Sequence, residues 1–164
     1  MEPNKSNEGL VIGILADDGI LSPADLGDVV PLLSAQRVLY EVVAPRMGHL
    51  QSGVVANQSF ITTGSIFYDA ILVGSIARSS GPPRPCSAMT VQLDFLAEAY
   101  SHGKAVGVIG SGSALLQCLG YRADEMTGVF SGGAQDVTTN LLTALSGPVR
   151  FPNRFPVDDP NICQ

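Results

Sequence analysis

This sequence is short of charged residues. Asp, Glu, Lys and Arg together make up 15% of its 164 residues, whereas about 25% is usual for a globular protein. The Lys and Arg residues number 9 and are scattered, and the net charge is −6, so no basic stripe is available to neutralise phosphate groups. Nucleic acid is therefore not expected as a partner, and the surface should carry unusually few charges.

Long apolar runs are also missing. None approaches the roughly 20 residues that span a bilayer, and the opening MEPNKSNEG lacks the apolar segment of a signal peptide. We therefore predict a soluble domain with no membrane partner and no targeting signal in this segment. The sequence leaves open whether a longer parent protein is secreted.

Cysteine and histidine are few and widely spaced. Cys86, Cys118 and Cys163 show no CxxC or CxxH pattern, and His49 and His102 are far apart in the sequence. This spacing excludes a recognisable zinc site, and no metal is predicted. We expect two packed thiols and one thiol in the tail, because a free cysteine behaves as a small apolar side chain.

Short apolar runs alternate with helical patterns along the chain. Buried strands are predicted at 10–15, 38–44, 70–74 and 105–109, and helices at 23–37, 88–101, 113–119 and 134–146. Strands that alternate with helices predict an α/β fold whose parallel sheet is covered on both faces. We assign 9–150 to this domain, 1–8 to a linker and the proline-rich 151–164 to an extended tail.

Residues 104–116, KAVGVIGSGSALL, form a strand, a Gly-rich turn and the start of a helix. In α/β proteins such a turn presents free N–H groups at a helix N-terminus, where phosphates and cofactors bind. A dinucleotide fingerprint requires a small residue where Leu115 stands, and a P-loop requires a Lys that is absent from this turn. No cofactor is therefore predicted in this segment.

The same stretch resembles the nucleophile elbow of the PfpI-type family, within the class I glutamine amidotransferase-like superfamily, whose consensus is close to KPVAAICHGPQLL. A gapless alignment puts the catalytic cysteine of that family on Gly110 and its neighbouring histidine on Ser111, while Gly112 is matched. Glycine has no side chain that could attack a substrate. The resemblance therefore implies a vacant elbow and no catalytic residue in this segment.

A displaced nucleophile is the alternative. Ser111 would need a base within reach, and neither His49 nor His102 occupies a position that predicts one. We expect Ser111 or Ser113 to cap the following helix instead. A PfpI-type hydrolase or glyoxalase remains the competing reading, so whether this segment is an enzyme is left open.

Four further blocks of the sequence carry a second resemblance: VIGILADDGILSPADL, VVAPRMGHLQSG, FITTGSIFYDAILVGS and RFPNRFPVD. Together they resemble the C-terminal domain of large-subunit haem catalases, a PfpI-like domain that lacks the nucleophile. The resemblance implies a flavodoxin-like three-layer sandwich with a mainly parallel central sheet. It also implies that the segment is the tail of a longer chain, and that four such chains form a tetramer.

Such a parent protein disproportionates hydrogen peroxide to water and oxygen at a haem with an axial tyrosine. The resemblance thus implies haem in the parent, none in this segment, and the catalase core of the same chain as the partner. The segment itself would stabilise the parent. The low charge also suggests ATP-independent, chaperone-like binding of unfolding client proteins.

Overall fold

The computed structural model contains one parallel sheet and a small hairpin. It describes residues 7–16, 23–50, 53–64, 67–75, 90–120 and 128–146. The strands are β1 Val11–Leu15, β2 Leu39–Ala44, β3 Gly48–His49, β4 Val55–Ala56, β5 Gln58–Ser59, β6 Ala70–Val73, β7 Ala105–Ile109 and β8 Val129–Gly132. Six of these form a sheet in the order β5-β2-β1-β6-β7-β8, and every pair in it is parallel. Strands β3 and β4 form an antiparallel hairpin.

Helices cover both faces of the sheet. They are α1 Pro23–Ala35, α2 Thr90–Ser101, α3 Ser113–Cys118 and α4 Ala134–Leu145. Helices α1 and α4 pack against each other. From β1 the chain crosses through α1 to β2 on one side of the sheet, and from β6 it crosses through α2 to β7 on the other side. Because such crossovers are right-handed, α1 and α2 lie on opposite faces. The predicted flavodoxin-like α/β sandwich is confirmed.

The apolar runs of the sequence correspond to the centre of the sheet. All four residues of β6 and all five of β7 are buried, because each strand has neighbours on both sides and helices over its faces. A strand buried on both faces has no reason to alternate apolar with polar residues. The four predicted strands are therefore confirmed within one residue at each end.

Three parts of the fold differ from the predictions or were not predicted. Helix α1 begins at Pro23 as predicted but ends at Ala35, because Arg37 adopts a left-handed conformation with φ 55°. Strand β8 was not predicted, since its sequence VFSG is only half apolar. Strands β3, β4 and β5 contain two residues each, which is too short to produce a periodic pattern.

The chain is anchored at its first described residues. Asn7 is buried, and its side-chain Nδ2 donates to Gln36 Oε1 at 2.7 Å and to the Leu142 carbonyl at 2.9 Å. Glu8 forms an exposed ion pair with Arg37 at 3.1 Å. Residues 7 and 8 of the predicted linker 1–8 therefore contact the domain, and the boundary of that linker stays a prediction. The tail 151–164 lies outside the described residues.

Candidate functional site

The strand-to-helix turn after β7 has the shape of an elbow. Ile109 ends the strand, Gly110 turns the chain with φ 51°, and a 3-10 turn over Gly110–Gly112 leads into α3. Gly110 is exposed. A Cβ at this position would have the Ser75 Cβ, 3.8 Å away, as its nearest heavy atom. The elbow therefore has open space for a side chain, and glycine supplies none.

Gly112, two residues after Gly110, lies in close contact with Gly74 and Val108. A Cβ at Gly112 would lie 2.5 Å from the Gly74 carbonyl oxygen and 3.2 Å from Val108 Cγ1. Real Cβ atoms do not approach a backbone oxygen so closely. Gly112 therefore allows the turn to pack directly against the end of β6, which sets the position of α3.

The serines of the turn do not occupy the cap position. Ser111 lies within the 3-10 turn, Ser113 is the first residue of α3, and the N-cap residue is Gly112, with no side-chain cap hydrogen bond. The expectation that Ser111 or Ser113 caps the helix is therefore wrong. The cause is that the 3-10 turn continues into α3, so its backbone bonds take over the role of a cap.

A carboxylate and a serine lie beside the elbow. The Ser75 N–H donates to Asp25 Oδ2 at 3.1 Å, and the Ser75 hydroxyl donates to the same oxygen. Asp25 is in the first turn of α1, and Ser75 follows β6. Neither residue was predicted for the site from the sequence. The available signal was that Ser75 closely follows the buried strand β6 and that Asp25 lies in the first turn of the helix after β1, because the carboxyl ends of parallel strands meet at one edge.

Neither described histidine is near the elbow. His102 follows α2 at the amino end of β7, whereas Ser111 follows its carboxyl end, and a five-residue strand separates its ends by roughly 16 Å. His49 is on the hairpin that packs against β2, three strand positions from β7, which is roughly 14 Å. Ser111 therefore has no imidazole base.

Known proteins are similar to this chain over nearly its whole length. Residues 8–156 match the family described as the C-terminal domain found in long catalases. The chain is similar to Catalase HPII of Mycobacterium avium, with 31% identity over 160 residues that cover 88% of this chain and 20% of that protein. Catalase B of Aspergillus fumigatus is 30% identical over 174 residues, covering 94% of this chain and 22% of that protein.

This chain belongs to the family of C-terminal domains of long catalases. The predicted resemblance is confirmed. The chain spans about a fifth of the length of these relatives.

A hydrogen-bond network surrounds the buried side chain of Tyr68 in this C-terminal domain. The Tyr68 hydroxyl donates to Glu41 Oε2 at 2.7 Å and is 3.2 Å from Thr63 Oγ1. Lys104 is also buried, and its Nζ donates to the Tyr68 carbonyl. The pKa of Tyr68 is raised to about 12, mainly because the side chain is buried; the hydrogen bond with Thr63 lowers this pKa, and the neighbouring Glu41 raises it.

Haem does not fit this network. An axial tyrosine binds iron as the phenolate, whereas the environment of Tyr68 favours the neutral phenol and engages its oxygen with Glu41 and Thr63. Within the part of the chain that the structure describes, no group of three or more His, Cys, Asp or Glu residues could hold a metal ion. No helix there is long and apolar enough to cross a membrane.

A cavity of about 510 Å³ lies away from the elbow. It is bordered by α1, β2 and the hairpin, and its walls include Leu26, Gly27, Tyr40 and Val54. Strand β2 is three positions from β7 in the sheet. The cavity is therefore not an extension of the elbow.

Cys118, the last residue of α3, is disulfide-bonded. The prediction of packed free thiols is therefore wrong for this cysteine. Cys86 and Cys163, the other two cysteines of the sequence, lie outside the described residues. Spacing in the sequence could not reveal this bond, because disulfide pairing depends on the fold.

Proposed function

We propose that this chain is the C-terminal accessory domain of a haem catalase, and that it stabilises the enzyme without taking part in its chemistry. The core of the parent protein disproportionates hydrogen peroxide to water and oxygen at its own haem. The observation that carries the proposal is Gly110. Its exposed position has room for a nucleophile and no side chain to act as one, in a chain that belongs to a catalase family.

The stabilising role follows from apolar contact with the core. Burial of apolar surface contributes roughly 25 cal/mol per Å², and association costs are small when both partners belong to one chain. Several large apolar side chains are exposed in the described part of the domain, among them Ile61 and Phe67. The core of the parent tetramer is the partner that covers such surface.

The test compares the complete catalase with a version that ends before residue 7. We expect equal oxygen release per haem at low temperature, and a shorter half-life of the truncated protein on heating. The domain mixed with haem and peroxide should give no stoichiometric haem absorption band and no oxygen. A haem complex of the domain that evolves oxygen would refute the proposal, as would loss of turnover per haem on truncation.

The hydrolase alternative is tested at the elbow itself. The chain is treated with serine-directed and thiol-directed reagents, and modified sites are mapped by mass spectrometry. We expect no stoichiometric adduct at Ser111, because Ser111 has no histidine in reach to remove its proton. A single adduct there, with matching loss of an esterase or glyoxalase activity, would establish the displaced nucleophile.

Chaperone-like protection is a second candidate role, supported by the exposed apolar side chains. Ile61 is 91% exposed and Phe67 is 70% exposed, and such side chains can bind apolar segments of unfolding proteins. We expect an equimolar amount of the domain to reduce the light scattering of a heated client enzyme. The double variant Ile61→Asp/Phe67→Asp should protect less, and equal protection by both would remove this role.

A further inference from the structure

Strand β2 has an outer edge that its neighbours cover only in part. The Leu39 N–H donates to the Leu10 carbonyl, beside β1, at 2.8 Å. The Val42 N–H donates instead to Asn57 Oδ1 at 3.0 Å, on the outer side, and the Val42 carbonyl accepts the Asn57 N–H at 2.9 Å. Because backbone groups alternate in direction along a strand, the N–H and C=O of Tyr40 point to the outer side, like those of Val42.

The outer side is occupied at Val42 but not at Tyr40. Asn57 covers the edge at Val42, and β5 continues from there along Val43 and Ala44. Among the residues that the structure describes, none bonds to the outward N–H or C=O of Tyr40. One residue of an added antiparallel strand would exchange two N–H···O=C bonds with Tyr40. The edge therefore matches the backbone of an extended peptide.

The cavity of about 510 Å³ opens beside this edge. Tyr40 and Val42 line it together with Leu26 of α1 and Val54 of the hairpin, so the cavity lies on the face of the sheet that α1 covers. A strand residue directly opposite Tyr40 places its side chain on the same face as the Tyr40 side chain. The residue that bonds to Tyr40 therefore points its side chain at the cavity, whose apolar walls favour an apolar group.

Gly27 leaves a gap in the wall of this cavity. It lies inside α1, where glycine weakens a helix relative to alanine. Its backbone is not in a left-handed conformation, and a Cβ there would meet nothing within 4 Å. Neither conformation nor packing within the described residues thus requires glycine at this position. Close approach of a ligand to the backbone is a use of glycine that accounts for it.

The hairpin limits the width of what can bind. The cavity wall includes Gly53, Val54 and Val55 as well as the edge of β2, and the chain returns to that edge at Asn57. A single extended strand therefore suits the space between β2 and the hairpin, whereas the folded sheet of a second copy has the hairpin in its way.

The charges at this edge are mainly acidic. Asp28 is exposed on α1, and Glu41 follows Tyr40 in β2. Of the nearby basic residues, Arg37 is engaged in an ion pair and Arg46 lies beyond the far end of β2. A peptide with Lys or Arg on either side of its apolar residue is therefore complementary to this edge.

We propose that the edge of β2 at Tyr40, together with the cavity beside it, binds an extended peptide segment of another protein. The segment runs antiparallel to β2, and its central apolar residue exchanges two backbone bonds with Tyr40 and places its side chain in the cavity. The site lies apart from the elbow, and it does not depend on the accessory role in a catalase.

Amide hydrogen exchange of the chain with a designed peptide tests the backbone contact. The probes are acetyl-Lys-Thr-Thr-X-Thr-Thr-Lys-amide with Leu or Phe at X, since threonine favours extended backbone. We expect saturating peptide to slow exchange of the Tyr40 N–H about ten-fold, because this amide gains a hydrogen bond. The Val42 N–H is the internal reference, since it already bonds to Asn57 and should not change.

A matched peptide and a matched pair of variants test the geometry. N-methylation of residue X removes the donor to the Tyr40 carbonyl and should weaken binding about ten-fold. Gly27→Leu fills the cavity and should weaken binding at least as much. Ala24→Leu is the control, because this residue is exposed on the same helix and does not line the cavity. Denaturant unfolding reports whether each variant is folded.

Each contrary outcome has a distinct meaning. If neither peptide protects the Tyr40 N–H, or if the N-methylated peptide protects it equally, the edge does not bind a strand and the proposal is wrong. Equal affinities of Gly27→Leu and Ala24→Leu would remove the cavity from the site and overturn it too. If the chain alone forms dimers that protect the Tyr40 N–H, a second copy occupies the edge instead of a peptide. None of these readouts involves haem or oxygen release, so their failure leaves the accessory role standing.

Discussion

At the carboxyl ends of β6 and β7, the elbow presents an exposed glycine and an exposed serine to solvent. Inside the domain, by contrast, the Tyr68 hydroxyl donates to Glu41, and Lys104 donates to the Tyr68 carbonyl. The elbow has the shape of a reactive site without a reactive side chain. The network has titratable side chains whose polar atoms are engaged in structure. The comparison shows that the polar atoms of the network are engaged in hydrogen bonds that hold the fold.

The largest effect is expected on the elbow side, from loss of the Cys118 disulfide. Reduction should lower the free energy of unfolding by about 3 to 4 kcal/mol, because the bond restricts the unfolded chain. Denaturant unfolding with and without reductant measures this change. Cys118→Ser is the control and should show no further loss on reduction. Identical midpoints for the oxidised and reduced chain would contradict the bond.

Gly112→Ala should have the next largest effect on the free energy of unfolding. The added Cβ would overlap the Gly74 carbonyl oxygen, and because a backbone oxygen cannot rotate away, we expect a loss of about 2 to 3 kcal/mol in unfolding free energy. Gly27→Ala is the matched control. It lies inside α1, its Cβ would meet nothing within 4 Å, and it should add about 0.5 to 1 kcal/mol. Similar effects of both substitutions would disprove the close contact at the turn.

Tyr68→Phe tests the network side. Removing the hydroxyl leaves the Glu41 carboxylate without a donor, which should cost about 1 to 2 kcal/mol of unfolding free energy at pH 7. Tyr40→Phe is the control, because this side chain is 36% exposed beside the cavity, and it should have little effect. If the Tyr68→Phe variant is as stable as the wild type at pH 7, the network does not stabilise the fold.

The same residue gives the network a pH dependence. The pKa of Tyr68 is raised from 10.0 to about 12 in the folded protein, so the folded state favours the neutral phenol. Its contribution to stability is complete below pH 10 and is lost as the pH rises towards 12. We expect the difference in stability between wild type and Tyr68→Phe to shrink over that interval. A difference that stays constant would contradict the raised pKa.

Gly110→Ala should have the smallest effect. Space is available at this position, so the cost is only that of a left-handed conformation with φ 51°, about 1 kcal/mol for a residue with a Cβ. Gly110→Asn should cost less, because asparagine tolerates this conformation. If alanine and asparagine are both neutral in urea unfolding, the elbow does not have the geometry described.

The sequence predicted the centre of the fold better than its edges. Strands such as β6 and β7 are buried on both faces, so their composition is continuous and apolar. Strand β8 and the two-residue strands are held by neighbours, and composition does not mark them. Helix α1 stops at Ala35 because of one left-handed residue, Arg37, a local conformation that periodicity does not report.

The candidate site was predictable only where it depends on one stretch of chain. The prediction of a vacant position at Gly110 came from the resemblance of this one stretch to the PfpI-type elbow. The contact between Asp25 and Ser75 joins residues 50 positions apart, and the sheet order that brings them together is a property of the whole domain. The disulfide at Cys118 could not be predicted from spacing either, because disulfide pairing depends on the fold.

The anchor at Asn7 has a mechanical consequence. The Nδ2 of Asn7 ties the incoming chain to Gln36, beyond the end of α1, and to Leu142 of α4. Tension applied through residue 7 is therefore shared by Gln36, by Leu142 of α4 and by the bond from the Gly9 N–H to the Arg37 carbonyl. Strand β1 receives only the part of the load that these bonds do not take up, so the start of the sheet is relieved of force from the amino-terminal side.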